Sequence, residues 1–181
     1  MISPFVKNLF DLYYSNDREL LATVLTHSEC VAGKALDIAR AKNLDVDLDF
    51  VRDAAMLHDI GVVRCDAPSI LCRGELPYIC HGVEGRKMLD KAGLPRHALV
   101  CERHTGSGLT VDDIRRQALP LPLRDLCPVS LEEKLICYAD KFFSKSGNLT
   151  QEKDLGKVIR QMEAFGTDSL QRFMALHALF S

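Results

Sequence analysis

Between Asp17 and Lys42 the apolar residues recur three and four positions apart: Leu20, Leu21, Val24, Leu25, Val31, Ala32, Ala35, Leu36 and Ala39, with Ser28 on the same stripe. That period belongs to the α-helix, where such positions share one face, and not to the strand, whose period is two. A helix of this length runs roughly 35–40 Å, so the remainder of the chain has to pack along it. His27 lies within the same inward stripe. A polar ring on a face that must be buried needs a buried partner.

Helical spacing continues through most of the chain. A second helix is expected from about Leu48 to Asp59, with Asp47 or Asp49 suited to its N-cap. Residues 64–76 read as a loop. Pro77 can open the next helix, carrying His81 to about Ala92 before Gly93, and Pro95 opens another to about His104. A short helix is expected over 110–117, and the Pro-rich "LPLPLRDLCPVS" is irregular. Ser130 with Glu133 forms a capping-box pattern for a helix over 131–145. Helices near 151–164 and 168–180 close the chain. Strand-like alternation is nearly absent and no linker or repeat interrupts the pattern. The expectation is an all-α, single-domain bundle over 1–181, with a core over 20–145 and C-terminal helices 151–180 packing on it.

Composition narrows the function. A net charge of −2 over 181 residues provides no global basic field, so neither nucleic acid nor an anionic membrane is an expected partner. No stretch approaches the ~20 apolar residues of a membrane span. The opening "MISPFVKNLF" has Lys7 inside its apolar part and no small-residue cleavage site, so a cytoplasmic location is expected. The cysteines at 30, 65, 72, 80, 101, 127 and 137 are odd in number and form no Cys-x-x-Cys pair. They read as free thiols in a reducing compartment.

The apolar run "AAMLHDIG" ends in His58-Asp59, His81 and His104 fall on two later helices, and Asp140 lies among apolar neighbours in "LICYADKFFSK". A buried carboxylate needs a partner or a large pKa rise, and an Asp at a helix C-terminus opposes the macrodipole. One shared cation site explains His27, His58, Asp59, His81, His104 and Asp140 together. Ligands of N and O only suit Fe, Mn, Ni, Co or Mg better than a thiolate zinc site. Gly61 is read as the left-handed residue that releases the chain after the pair.

The ordered set His27 … His58-Asp59 … Asp140 resembles the metal-binding signature of the HD-domain superfamily, and "HDIG" over 58–61 is its best-known tetrapeptide form. The resemblance implies a bundle with a five-helix core around the metals. With His81 and His104 present, the chain is similar to the dinuclear members. His27, His58, Asp59 and Asp140 would then hold one ion, and Asp59 would bridge to a second held by His81 and His104. The implied cofactors are two divalent metal ions (Fe, Mn, Ni, Co or Mg). The implied activity is phosphohydrolysis of a phosphate ester or phosphoanhydride by metal-bridged hydroxide.

The set is also similar to that of bacterial diadenosine tetraphosphate hydrolases, so a nucleotide or dinucleoside polyphosphate is the expected small phosphorylated substrate. A mixed-valent di-iron oxygenase is the alternative, and a noncatalytic nucleotide-binding sensor a further one. "HTGSGLT" resembles a turn of cyclic-dinucleotide-cleaving relatives, but Arg103 and Thr105 flank His104 where those carry a paired His-His-Glu.

Around the ligands, Asp59, Lys141 and Arg103 are the catalytic candidates, and Lys141, Lys145, Arg103, Arg73 and Tyr78 the substrate-binding ones. Glu84, one turn after His81, is placed to orient that imidazole. His97 reads as a helix-surface residue and His177 as packing or a subunit contact. Leu170, Phe173, Met174 and Ala178 form a stripe read as core packing, with a homodimer contact as the alternative.

Overall fold

The Asp17 carboxylate accepts a hydrogen bond from the Leu20 amide and opens α2, Arg18–Ala41, in the computed structural model, which describes residues 2–181. Leu20, Val24, Val31, Ala35 and Ala39 are buried along it, and so is His27. Around this axis lie α1 (Pro4–Tyr14), α3 (Leu48–Leu57), α4 (His81–Lys91), α5 (Pro95–Arg103), α6 (Val111–Arg116), α7 (Leu131–Asp140), α8 (Leu155–Ala164) and α9 (Thr167–Phe180). The caps are those the side chains favour. Asp47 accepts from the Asp49 and Phe50 amides at the start of α3, Thr110 and Asp113 form a reciprocal capping box on α6, and Ser130 accepts from the Glu133 amide on α7.

The class is all-α. α3 lies on α2, α4 on α5, and α7 closes over α2, α3 and α5. The C-terminal α9 covers α7, with Phe173 stacked on Tyr138 at 5.7 Å between centroids. The small helix α6 sits over a separate cluster of Val83, Ile114 and Leu126.

Besides later starts for α4, at His81 and not Pro77, and for α8, at Leu155 and not near 151, four features depart from the sequence reading. Helix α1 is additional: Pro4 takes a first-turn position and Val6, Phe10 and Tyr14 face inward. The Tyr14 hydroxyl donates to the Ile60 carbonyl at 3.0 Å, tying α1 to the turn after Asp59. The expected loop over 64–76 contains a small sheet of order β2-β1-β3, made by β1 (Cys65–Ala67), β2 (Cys72–Arg73) and β3 (Leu76–Pro77). β1 pairs antiparallel with β2 (Asp66 opposite Arg73) and parallel with β3 (Cys65 opposite Leu76). Strands of two or three residues are too short for alternation to register. Helix α7 stops at Asp140 rather than near 145. Phe142 and Phe143 would splay by about 100° on a continued helix; the break buries both.

The fourth concerns Gly61. Its φ is not positive, and the chain leaves His58-Asp59 through a 3-10 turn, Ile60–Arg64. A Cβ at Gly61 would stand 2.1 Å from the His81 carbonyl oxygen and 2.3 Å from the Gly85 amide nitrogen. The glycine is therefore required by the close approach of this turn to α4, and not by backbone handedness. Gly61→Ala is expected to cost about 3 kcal/mol, read as a lower urea midpoint at unchanged slope. Gly33→Ala, at an exposed helical position with open space around the new methyl, should be neutral or stabilising by up to about 1 kcal/mol.

Candidate metal centre

Five helices bring the six polar residues to one place. His27 projects from the middle of α2, while the others sit at helix ends: His58 and Asp59 after α3, His81 at the first position of α4, His104 after α5 and Asp140 at the last position of α7. All six are buried.

Three of the imidazoles are oriented by one local device. His58 Nδ1 lies 2.6 Å from the Ala55 carbonyl oxygen, His81 Nδ1 2.7 Å from that of Tyr78, and His104 Nδ1 2.7 Å from that of Cys101. Each partner is three residues back, where the backbone at a helix end or in a 3-10 turn has a carbonyl free to accept. With Nδ1 donating, the neutral form of each ring presents its Nε2 lone pair to the shared space.

Asp59 divides that space. Its Oδ2 lies 3.3 Å from His27 Nε2 and 3.0 Å from His58 Nε2, while its Oδ1 lies 3.5 Å from His81 Nε2 and 3.4 Å from His104 Nε2. Asp140 Oδ1 completes the first group, 2.9 Å from His27 Nε2 and 3.4 Å from His58 Nε2. His27, His58, Asp59 and Asp140 thus form one set of ligand atoms within 4.8 Å of one another, and Asp59, His81 and His104 a second.

The donor set fits metal ions on three counts. Bonds of about 2.0–2.2 Å place neighbouring ligand atoms about 3.0–3.5 Å apart, the range found here. His58 Nε2 and Asp59 Oδ1 are buried without a hydrogen-bond partner, although such atoms are almost always satisfied. His81 Nε2 and His104 Nε2 face each other at 3.0 Å, and with both Nδ1 atoms donating, that contact sets lone pair against lone pair.

The electrostatics agree. Burial would raise both carboxyls, but His58 and Lys145 hold Asp59 well below the ordinary range, as Lys141 and Lys145 do Asp140. Burial opposes a charge on His58, yet the Asp59 and Asp140 carboxylates push it up to about 9. Burial and the facing His104 take His81 down to about 3, and burial also lowers His104. The imidazoles of the second set are therefore neutral and ready to ligate, while the first set holds a proton on His58 below about pH 9. A cation has to displace that proton.

A cavity of about 510 Å³ opens onto His81, His104 and Asp140. Lys141 and Lys145, expected from sequence to contact substrate, both line it. Lys141 Nζ is 2.6 Å from Asp140 Oδ2 and donates to the His104 carbonyl at 3.0 Å; Lys145 Nζ is 2.7 Å from Asp59 Oδ2. Tyr78 is there as well, stacked on His81 at 4.6 Å.

Three other assignments are corrected. Arg103 does not line the cavity; its guanidinium contacts the Glu133 carboxylate at 3.0 and 3.2 Å. Consecutive helical residues diverge by about 100°, so the neighbour of an inward His104 faces away. Glu84 pairs with Lys87 at 2.5 Å, and the Tyr78 carbonyl orients His81 in its place. Arg73 is exposed on β2 and apart from the cavity lining. Of the remaining histidines, His97 packs edge-on against Phe5 and Phe50, and His177 accepts or donates at Tyr138 Oη, 2.9 Å away, within the α7–α9 contact.

Sequence reasoning missed Lys153, Gln161, Phe165 and Arg172, which form the far wall of the cavity. Only Lys153 and Arg172 carried a signal, their charge, and it is indistinguishable from that of a surface residue.

Divalent metal taken up at pH 7.5 is expected to release about one proton per chain, measured as the dependence of the calorimetric enthalpy on the ionisation enthalpy of the buffer. Since His58 is protonated below about 9 in the absence of metal, apparent affinity should rise with pH up to that value. Uptake independent of pH between 6 and 9 would contradict the assignment.

The family description "HD domain" matches residues 24–144. An uncharacterized protein of Methanocaldococcus jannaschii is 33% identical over 144 residues, covering 77% of this chain and 75% of its own. Proteins named tRNA (cytidine(56)-2'-O)-methyltransferase are 32% identical over 122 residues in Picrophilus torridus and 29% over 150 residues in Thermoplasma volcanium. The chain covers only 31% and 39% of their lengths. No solved structure matches.

Proposed function

The chain belongs to the HD domain family, and from that membership and its divided carboxylate we propose that it is a metal-dependent phosphohydrolase of a small phosphorylated substrate. The observation that carries the proposal is Asp59, one oxygen toward His27 and His58 and the other toward His81 and His104, the latter two lining a cavity that also holds cations. Methyl transfer is not proposed, because the match covers about a third of each methyltransferase and the buried cluster is a set of N and O metal ligands.

His27, His58, Asp59 and Asp140 would hold one divalent ion, and His81 and His104, with the second oxygen of Asp59, another. Bound divalent ions supply a lowered pKa for water and neutralisation of phosphoryl charge. The protein's own groups do the rest. The carbonyl-anchored imidazoles keep their ligand atoms fixed, so no reorganisation is required when charge develops. Lys141 has three donors, two of them engaged by Asp140 and the His104 carbonyl; the third is available to a phosphoryl oxygen in the cavity. Lys145, between Asp59 and the Tyr78 ring, adds a second cation on the same side. A nucleotide or dinucleoside polyphosphate is the first substrate class to try, and a cavity of about 510 Å³ is within the ordinary range for a ligand of nucleotide size.

Protein loaded with Mn(II) or Fe(II) is expected to release phosphate or nucleotide from members of a nucleotide and dinucleoside polyphosphate panel, measured by product formation. Asp59→Ala should lower kcat by about a thousandfold or more, roughly 4 kcal/mol. Lys141→Met should lower it ten- to a hundredfold, and the exposed Lys87→Met should leave it unchanged. Metal-loaded protein inert on the panel, or consuming oxygen with phosphonate or polyol substrates instead, would overturn the reading.

A further inference from the structure

Four cations line the cavity: Lys141, Lys145, Lys153 and Arg172. Three have a carboxylate partner, Lys141 with Asp140 at 2.6 Å, Lys145 with Asp59 at 2.7 Å and Arg172 with Asp113 at 2.7 Å. Lys153 forms no ion pair among the described residues. Its Nζ donates to the Lys141 carbonyl at 3.0 Å and the Gln161 side-chain oxygen at 3.3 Å, both neutral acceptors. An ammonium has three donors, and the third is uncommitted.

The placement of Lys153 is built. Its amide donates to the Phe142 carbonyl at 2.8 Å, which fixes the residue beside the turn that follows Asp140. Gln161, one turn before Phe165 on α8, holds the side chain from the other side. Burial draws the ammonium below the ordinary lysine value; Asp140 offsets this in part, while Lys141, Lys145 and Lys157 repel it. A half-buried cation repelled by cationic neighbours, in a cavity that opens onto two metal-ligand clusters, is a place where an anion lowers the energy.

We propose that Lys153 receives a second anionic group of the substrate, so that the cavity selects phosphorylated compounds bearing a further negative charge beyond the phosphoryl group at the metal clusters. The inference rests on the phosphohydrolase reading. It places this selectivity outside residues 24–144, the span that matches the family. The competing role for Lys153 is structural, as a cap on the carbonyl of Lys141 at the end of α7. A cap affects stability but does not distinguish ligands.

The test uses two non-hydrolysable probes of nearly equal size, phosphonoacetate and ethylphosphonate, which differ in one carboxylate. Each is titrated calorimetrically into Mn-loaded full-length protein with free Mn(II) held in excess. The wild type should bind phosphonoacetate about tenfold or more tighter than ethylphosphonate, the increment expected of a charge-assisted contact in a partly buried site. Lys153→Met should abolish that preference and leave ethylphosphonate affinity unchanged, while Lys153→Arg should retain most of it. Equal binding of the two probes by the wild type, or a preference that survives Lys153→Met, overturns the assignment of Lys153 and leaves the phosphohydrolase reading standing. Binding of neither probe, or binding indifferent to Mn(II), overturns both. A thermal midpoint lowered by Lys153→Met with the preference intact identifies the cap as its role and also overturns the proposal.

Discussion

The structure depends on one buried carboxylate, Asp59, that is set among imidazoles and has no arginine partner. Outside the cluster, four other acidic side chains among the described residues are buried, and all are paired with arginines: Asp53 with Arg52, Glu102 with Arg86 and Arg124, Asp113 with Arg116 and Arg172, and Glu133 with Arg103. Those are scaffold arrangements, in which charge-assisted hydrogen bonds offset desolvation. Asp59 is surrounded instead by four imidazole Nε2 atoms and a lysine ammonium. The protein gives Asp59 a single lysine contact where Glu102 and Asp113 each have two arginines. What it supplies is a set of lone pairs converging from five helices, an arrangement that positive charge placed among them would relieve.

Holding such a cluster together costs stability, and the rest of the fold is organised to hold it. Carbonyls three residues back fix three of the rings. Gly61 and Gly85 let the turn after Asp59 press against α4, and α4 and α5 approach closely where Gly85 faces the Cys101 sulfur. Tyr14 reaches from α1 to the Ile60 carbonyl, and Cys101 Sγ contacts the His58 carbonyl at 2.9 Å. Each contact acts on the backbone or on Nδ1 and not on Nε2, which leaves the Nε2 atoms facing the shared space. The segments after residue 144 contribute differently. Apart from Lys145, which reaches Asp59, they close the cavity with Lys153, Gln161, Phe165 and Arg172, none of which pairs with one of the six clustered residues.

Much of this is legible in the sequence because it is written in local patterns. The period of the apolar residues reveals α2 and α3 to within about two residues, and the caps at Asp47 and Ser130 are short-range chemistry between a side chain and an amide two or three positions on. The six clustered residues stand out because histidine and aspartate in an apolar stripe are costly without a shared partner. The failures share a cause as well. Nearness along the chain to His104 and His81 misplaces Arg103 and Glu84, since a helix sends neighbours in different directions, and the residues they meet, Glu133 and Lys87, decide their roles. Helix α1 carries no charged residue in its buried stripe to draw attention, and the strands after Arg64 are too short to show a period.

The sequence by itself determined the all-α class, the register of its main helices and the identity of the six clustered residues, because these follow from periodicity and from the cost of burying particular atoms. Only the tertiary structure decided that Asp59 divides its oxygens between two pairs of rings, that Gly61 is required by the closeness of α4, and that Lys153 stands without a carboxylate in the cavity wall. Those are relations between residues far apart in the chain, and they depend on distance and direction in space, which no local pattern encodes.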